Sequence, residues 1–157
     1  MSARRPLPDR LEVAAPALAA LVARLVSHAP GSVRTRALEA AFDRARDAFN
    51  RADMQAVFAL FADDVEYVPP PPLYGGPPLR GRDTVLAFWI EQLGRFRSSS
   101  IENLSIEEAG PGHFVRRARL RHVPASEADP LEYVILQTTE LRAGRVVRQV
   151  NELEGPA

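Results

Sequence analysis

One histidine set among amides is the arrangement in this sequence that is most able to do chemistry. Three consecutive segments with the alternating polarity of β-strands carry His122, Gln137, Gln149 and Asn151. Side chains two residues apart on a strand point to the same face, so one sheet face can collect these groups. Imidazole transfers protons near neutral pH, and amides form hydrogen bonds without ionising. The set suits a site that binds a polarised neutral ligand, with His122 as the candidate acid or base.

Aromatic and charged side chains complete the predicted face. Tyr67 lies on a short predicted strand and Trp89 on a predicted helix, while the strand period places Arg116 and Tyr133 beside the imidazole and the amides. We predict that His122 and Tyr67 are catalytic, and that the ligand is bound by Trp89, Arg116, Tyr133, Gln137, Gln149 and Asn151. The alternatives are structural: a satisfied buried imidazole, an internal amide network, and aromatic packing in the core.

The composition argues against several classes of protein. The chain has 157 residues with no Cys, and its 20 basic and 20 acidic residues cancel, so no nucleic-acid partner is expected. The three histidines lack the spacing of metal ligands, and no glycine-rich phosphate loop precedes a helix. We therefore predict no metal and no cofactor. Every basic residue is Arg, which we interpret as the usage of a GC-rich bacterial genome.

Residues 1–31 predict a helical extension. Apolar residues recur at helical spacing at Leu18, Leu21, Val22, Leu25 and Val26. Asp9 and Glu12 precede the apolar run and Arg24 interrupts it, which is unlike a signal peptide. The run is also shorter than the roughly 20 apolar residues that a membrane-spanning helix needs. We expect a cytoplasmic protein without a membrane partner.

Residues 32–157 predict one domain in which helices come first and antiparallel strands follow. The expected elements are helices over 33–51, over 53–64 and from 81 onward, and strands over 65–68, 101–108, 113–123, 131–141 and 145–153. Residues 69–78 hold six prolines and two glycines, which is typical of a stiff ordered loop. This order of elements indicates the α+β class.

Short motifs in a fixed order resemble the SnoaL-like family of the nuclear transport factor 2-like superfamily. They are Phe49-Asn-Arg-Ala-Asp53, Ala59-Leu-Phe-Ala-Asp-Asp-Val-Glu-Tyr67, the Pro-rich loop, Leu79-Arg-Gly-Arg-Asp83 with Phe88-Trp89, and the closing hairpin Glu140-Leu-Arg-Ala-Gly-Arg-Val146. Each motif is short, and it is their order and spacing that carry the resemblance. The resemblance covers roughly residues 35–153 and leaves the N-terminal helix outside.

The resemblance implies N-terminal helices packed on a curved mixed or antiparallel sheet that forms a cone around an internal pocket. Proteins with this fold include polyketide cyclases, ketosteroid isomerase, limonene-epoxide hydrolase and scytalone dehydratase. They also include carriers and dimerisation domains that do no chemistry. Members commonly pair through the sheet, so a homodimer is expected. The fold alone does not choose among these functions.

The carboxylates on which these enzymes depend have no good match. Alignment by the motifs places the base of ketosteroid isomerase at Pro69, its Tyr at Ala45 and its Asp at Gln137. Proline and alanine cannot transfer a proton and glutamine cannot ionise, so that mechanism is not expected. The Asp-Arg-Asp set of limonene-epoxide hydrolase is also missing, because Asp129, in a predicted loop, is the only Asp after His113. No pocket Asp of the SnoaL cyclase type is evident either.

Three functions therefore stay open. The first is a cofactor-independent cyclase, isomerase or dehydratase that acts on a lipophilic or polyketide-like substrate. The second is a binding protein for a small hydrophobic molecule without turnover. The third is a homodimerisation module with a vestigial pocket. The mixed polar lining favours the first two functions, and the missing carboxylates favour the last two.

Overall fold

Helices dominate the first half of the chain and long strands the second, as the sequence predicts. The structure, which is a computed structural model, describes residues 6–15, 19–21, 24 and 28–155. Within these residues the helices are α1 (Leu7–Ala14), α2 (Gly31–Asn50), α3 (Met54–Val57) and α4 (Arg82–Gly94). The strands are β1 (Phe61–Val68), β2 (Leu79–Arg80), β3 (Phe96–Gly110), β4 (His113–Pro124), β5 (Leu131–Arg142) and β6 (Arg145–Leu153).

The six described strands form one mixed sheet in the order β2-β1-β6-β5-β4-β3. Strand β1 runs parallel to β6, and the other neighbouring pairs are antiparallel. The sheet does not close on itself, so β2 and β3 are its edges. Helices α2 and α4 pack on one face of it. The predicted α+β class, with N-terminal helices on a mixed sheet, is confirmed.

Alternation along β4 separates a buried face of the sheet from an exposed one. The buried side chains of this strand are Phe114, Arg116, Ala118, Leu120 and His122. Arg117, Arg119 and Arg121, which alternate with them, are exposed. They pair with acidic neighbours: Arg117 Nε lies 2.6 Å from Glu154 Oε1, and Arg119 Nη1 lies 2.9 Å from Glu102 Oε2. Exposed ion pairs of this kind contribute little to stability, so the hydrophobic inner face holds the fold together.

The turn between α2 and α3 ties the helices to an edge strand. Asn50 Nδ2 donates to the Ile101 carbonyl at 3.2 Å, and the Ile101 N–H donates to Asn50 Oδ1 at 2.7 Å. Ala52 has a φ of 57°, and this left-handed residue reverses the chain. Asp53 Oδ1 then accepts from the Ala56 N–H at 3.3 Å and caps α3. In the Asn-x-x-Asp motif, Asn50 thus holds the end of α2 against β3, and Asp53 begins α3.

Three element boundaries differ from the sequence prediction. The helix after Asp53 has one turn only, and the strand predicted at 65–68 already begins at Phe61. The cause is the parallel neighbour: Val146 N donates to the Leu60 carbonyl at 2.9 Å, which draws this segment into the sheet. Strand β3 likewise begins at Phe96 because its first residues pair with the end of β4. The two-residue strand β2 was not expected from the sequence.

The N-terminal extension contacts the rest of the chain through α1, which packs on α3, and through Ala20. Asp9 of α1 is only 2% exposed, and its Oδ2 lies 2.6 Å from Arg51 Nη2. Ala20 is buried, and its backbone lies so close to Gly144 that a Cβ at Gly144 would overlap it. The predicted stripe lies outside the described residues at Leu18, Val22, Leu25 and Val26, and Leu21 is 52% exposed. No described helix is long and apolar enough to cross a bilayer.

Candidate functional site

An interior pocket of about 160 Å³ lies between the buried sheet face and the helices α2 and α3. Its walls are mostly apolar and include Phe42, Phe49, Phe58, Leu120, Ile135 and Val146. A dry protein cavity of this size accepts a molecule such as benzene. The pocket can therefore hold a body of one ring, or slightly more, without opening the core.

Register explains which residues of β6 reach the pocket. The sequence predicts that Val147 shares the inner face with Gln149 and Asn151. The pairing of β5 with β6 shifts by one residue between Glu140 and Leu141, so Val147 is displaced and Val146 is buried instead. A β-bulge of this kind moves a side chain to the other face of the sheet. Val146, not Val147, therefore lines the pocket.

A chain of hydrogen bonds crosses the polar side of the pocket. Arg116 Nη1 donates to Gln137 Oε1 at 3.3 Å, and Gln137 Nε2 donates to Asn151 Oδ1 at 2.8 Å. Asn151 Nδ2 ends the chain by donating to the Val68 carbonyl at 2.8 Å. All donors point in one direction, which fixes the orientation of both amides. The chain therefore holds Arg116 rigidly at its donor end.

Arg116 reaches the pocket from the inner face of β4. Its Nε donates to Asn103 Oδ1 at 2.7 Å, and its Cζ lies 5.4 Å from the centre of the Phe42 ring. Nη2 is buried and makes no hydrogen bond in the structure. Burial, with a smaller contribution from the nearby Arg46 charge, lowers the pKa of Arg116 to about 10. The side chain remains charged at neutral pH, with one donor nitrogen unused.

Two further polar pairs line the same pocket. Trp89 Nε1 donates to Tyr67 Oη at 2.9 Å, and burial raises the pKa of Tyr67 well above its ordinary value. Thr139 Oγ1 donates to Gln149 Oε1 at 3.3 Å. The phenol therefore stays protonated at neutral pH and can donate a hydrogen bond, but it cannot serve as an anionic base. Both pairs belong to buried residues, so these polar groups are already ordered.

The structure separates the predicted site residues into two groups. Six of them line the pocket: Tyr67, Trp89, Arg116, Gln137, Gln149 and Asn151. His122 and Tyr133 lie in a second cluster, which is not part of the described pocket wall. Leu120 lines the pocket, and His122 follows it on the same face of β4, farther from the helix α2 side. The catalytic role of His122 and the ligand contact of Tyr133 stay predictions.

The second cluster holds His122 through both ring nitrogens. Nδ1 lies 2.8 Å from Ser99 Oγ and Nε2 lies 3.0 Å from Tyr133 Oη, and the ring stacks on Phe96 with centroids 4.7 Å apart. The side chain is 0% exposed. Desolvation lowers the pKa of His122 to about 4. The imidazole is therefore neutral at pH 7, with both nitrogens in use.

Sequence reasoning missed one acidic residue of the pocket. Asp9, from the N-terminal helix α1, is a lining residue and is paired with Arg51. Its position on an element outside the recognisable motifs hid it, since nothing local shows where such an extension packs. The described pocket wall therefore contains a carboxylate that the domain itself does not supply.

Comparison with known proteins agrees with this architecture. A family model described as a SnoaL-like domain matches residues 42–149. No curated protein sequence matches the chain. Solved structures match it over most of their length, at sequence identities low enough that the likeness shows the fold alone.

Three of these structures illustrate the range of proteins with this fold. An NTF2-like protein of unknown function from Burkholderia pseudomallei is 20% identical with a TM-score of 0.63, and the match covers 74% of this chain and 89% of that one. IdmH, a proposed polyketide cyclase from Streptomyces antibioticus, is 21% identical with a TM-score of 0.59, covering 74% and 91%. An LEH-like epoxide hydrolase from M. tuberculosis is 16% identical with a TM-score of 0.59, covering 73% and 80%.

Proposed function

The chain belongs to the SnoaL-like domain family, and we propose that it binds a small, largely apolar molecule in its interior pocket. The observation that carries this proposal is the pocket itself: about 160 Å³, with apolar walls and one ordered polar side. A vestigial site would be expected to fill with side chains, because protein interiors pack closely. A retained hollow with fixed hydrogen-bond donors is typical of a binding site.

Binding without turnover agrees best with the groups that line the pocket. General acid–base catalysis works best with a group whose pKa lies near the working pH. Among the described lining residues, Tyr67 has a raised pKa and Arg116 stays charged. His122, the predicted base, has a pKa of about 4 and both nitrogens bonded. We therefore place a binding protein first.

A second candidate function, cofactor-independent cyclisation or isomerisation, is favoured by Asp9. A cyclase of the SnoaL type relies on a pocket Asp as acid or base, and Asp9 lines this pocket from the N-terminal helix. Tyr67 would then orient the substrate through its hydroxyl group. The structural likeness to a proposed polyketide cyclase and to an epoxide hydrolase supports this second candidate.

The test is a binding titration with benzylideneacetone, a neutral ketone with one aromatic ring. Ala45 lines the pocket from α2, so Ala45→Phe should fill the hollow and weaken binding by about tenfold or more. Ala40 lies on the exposed side of the same helix, so the matched control Ala40→Phe should bind like the wild type. Isothermal calorimetry gives the dissociation constants, and chromatography of the recovered ketone shows whether it has been converted.

The proposal fails if benzylideneacetone, similar neutral ketones and epoxides, and aromatic acids and amides of the same size all do not bind. It also fails if Ala45→Phe binds as well as Ala40→Phe does. Conversion of the ligand by the wild type would move the second candidate function to first place. Native mass spectra of the same samples give the mass of the assembly, and a single-chain mass would remove the expected homodimer.

A further inference from the structure

The strongest unexplained feature of the pocket is the charge of Arg116. The side chain is 5% exposed, and its two protein acceptors, Asn103 Oδ1 and Gln137 Oε1, are neutral amide oxygens. The face of Phe42 offers the cation only a weak attraction. Buried charges in proteins are normally paired, because an unpaired charge in a low-dielectric interior costs several kcal/mol. Arg116 lacks such a partner in direct contact.

The acidic residues around Arg116 are already paired with other cations. Asp43 Oδ1 accepts from Arg46 Nη1 at 2.8 Å, and it reaches Arg116 only through Asn103, whose Nδ2 donates to it at 3.0 Å. Asp9, the acidic residue of the described pocket wall, forms its ion pair with Arg51 at 2.6 Å. Within the described part of the chain, Arg116 therefore has no carboxylate of its own in direct contact, and Asp43 acts on it only from a distance.

The geometry leaves one position for a counter-charge. Nε and Nη1 of Arg116 are bonded to Asn103 and Gln137, whereas Nη2 is buried without a hydrogen-bond partner. Arg116 is itself a lining residue of the pocket, so a bound molecule lies against this side chain. An acceptor that carries negative charge would satisfy the free donor and neutralise the guanidinium together.

We propose that the natural ligand carries an anionic oxygen, such as a carboxylate or an enolate, which accepts a hydrogen bond from Arg116 Nη2. This inference rests on the proposed function and names the chemical class of its ligand. The apolar walls hold the hydrocarbon body, and the hydrogen-bond chain through Gln137 and Asn151 keeps the guanidinium in place. A neutral ligand of the same shape would leave the buried charge unpaired.

The test compares cinnamate with cinnamamide, two molecules of nearly equal shape that differ in charge. By calorimetry at pH 7, the wild type should bind cinnamate about tenfold or more tightly than cinnamamide. In Arg116→Met the preference should disappear through loss of cinnamate binding, while cinnamamide binds as in the wild type. Arg117→Met removes a neighbouring Arg from the exposed face and should keep the full preference.

Equal wild-type affinity for the two molecules would overturn the inference and leave the proposed function intact, because cinnamamide binding alone supports a small-molecule pocket. An unchanged preference in Arg116→Met would overturn it as well. If neither molecule binds and benzylideneacetone also fails, the proposed function and the inference fall together. Arg116→Met leaves two amide oxygens unpaired, so its fold is checked by circular dichroism. If it does not fold, the wild-type comparison still decides.

Discussion

At the scale of single residues, His122 makes the stability of the protein depend on pH. Its pKa is about 4 in the folded protein, below the ordinary value of about 6.5 in an unfolded chain. The unfolded state therefore binds the proton more readily between these values. The stabilisation is fully present above about pH 6.5 and is lost as the pH falls towards 4.

We expect the free energy of unfolding to decrease by on the order of 2 kcal/mol between pH 7 and pH 4 because of this residue. His122→Gln, which cannot take up a proton, should lose that part of the pH dependence. His113 is exposed on the same strand, and His113→Gln should keep it. Urea unfolding at several pH values measures the difference, and parallel curves for wild type and His122→Gln would contradict the assignment.

Single residues also show what the sequence alone could and could not predict about the site. Alternation on β4 and β5 correctly places Arg116, His122 and Gln137 on the buried face, because strand periodicity is local. It could not tell which of these side chains border the hollow. That depends on where α2 and α3 cross the sheet, and the crossing leaves His122 among Ser99, Phe96 and Tyr133.

At the scale of elements, the side chain of Asn50 links α2 to β3 by two hydrogen bonds. Strand β3 is an edge of the sheet, and Asn50 supplies both the donor and the acceptor that a further strand would offer to Ile101. Satisfying both backbone groups blunts the edge at this point. In the sequence, the Asn-x-x-Asp motif is recognisable by its resemblance to the family and not by this role, because the partner lies 51 residues away.

Asn50→Ala should lower the free energy of unfolding by about 1–2 kcal/mol, since two hydrogen bonds to the backbone are lost. Glu39 is exposed on the same helix, and Glu39→Ala serves as the control for a change on α2 that breaks no such contact. Urea unfolding gives the stabilities, and amide hydrogen exchange at Ile101 should accelerate only in Asn50→Ala. Equal effects of the two substitutions would show that the hydrogen bonds between Asn50 and Ile101 do not contribute to stability.

The sequence predicts an element boundary well where a local signal, such as a turn, ends the element. It predicts a boundary poorly where pairing with a distant strand sets it. The limits of β6 match the prediction over Arg145–Leu153, because a turn and a change of composition frame it. The start of β1 was missed because its parallel partner β6 comes some eighty residues later. The bulge opposite Leu141 was missed for the same reason, since it is a property of two strands together.

At the scale of the whole molecule, the extension packs against the domain at the turn between β5 and β6. Gly144 has a φ of 76°, and a Cβ there would overlap the backbone of Ala20. Gly112 has a similar φ of 71°, but a Cβ there would meet the Leu141 carbonyl instead. The two glycines therefore carry comparable backbone strain on substitution and differ in what they touch.

Gly144→Ala should loosen the extension, and amide hydrogen exchange over residues 6–15 and 19–21 should become several-fold faster. Gly112→Ala should destabilise its own turn by about 1 kcal/mol without accelerating exchange in the extension. Hydrogen–deuterium exchange with mass spectrometry measures both variants. If the extension exchanges equally fast in the wild type and in Gly144→Ala, it is not held through this contact. The domain boundary near residue 31 stays a prediction from the sequence.

The position of Asp9 has a consequence for how fast a bound molecule can leave the pocket. Because Asp9 of helix α1 lines the pocket, a molecule leaving by that side must wait until the contact between Asp9 and Arg51 breaks. The dissociation rate of the ligand would then equal the rate at which the extension detaches, and it would not depend on the strength of the contacts between ligand and pocket. Ligands of quite different affinity would share one dissociation rate in stopped-flow displacement, and rates that scale with affinity would show that they leave by another route.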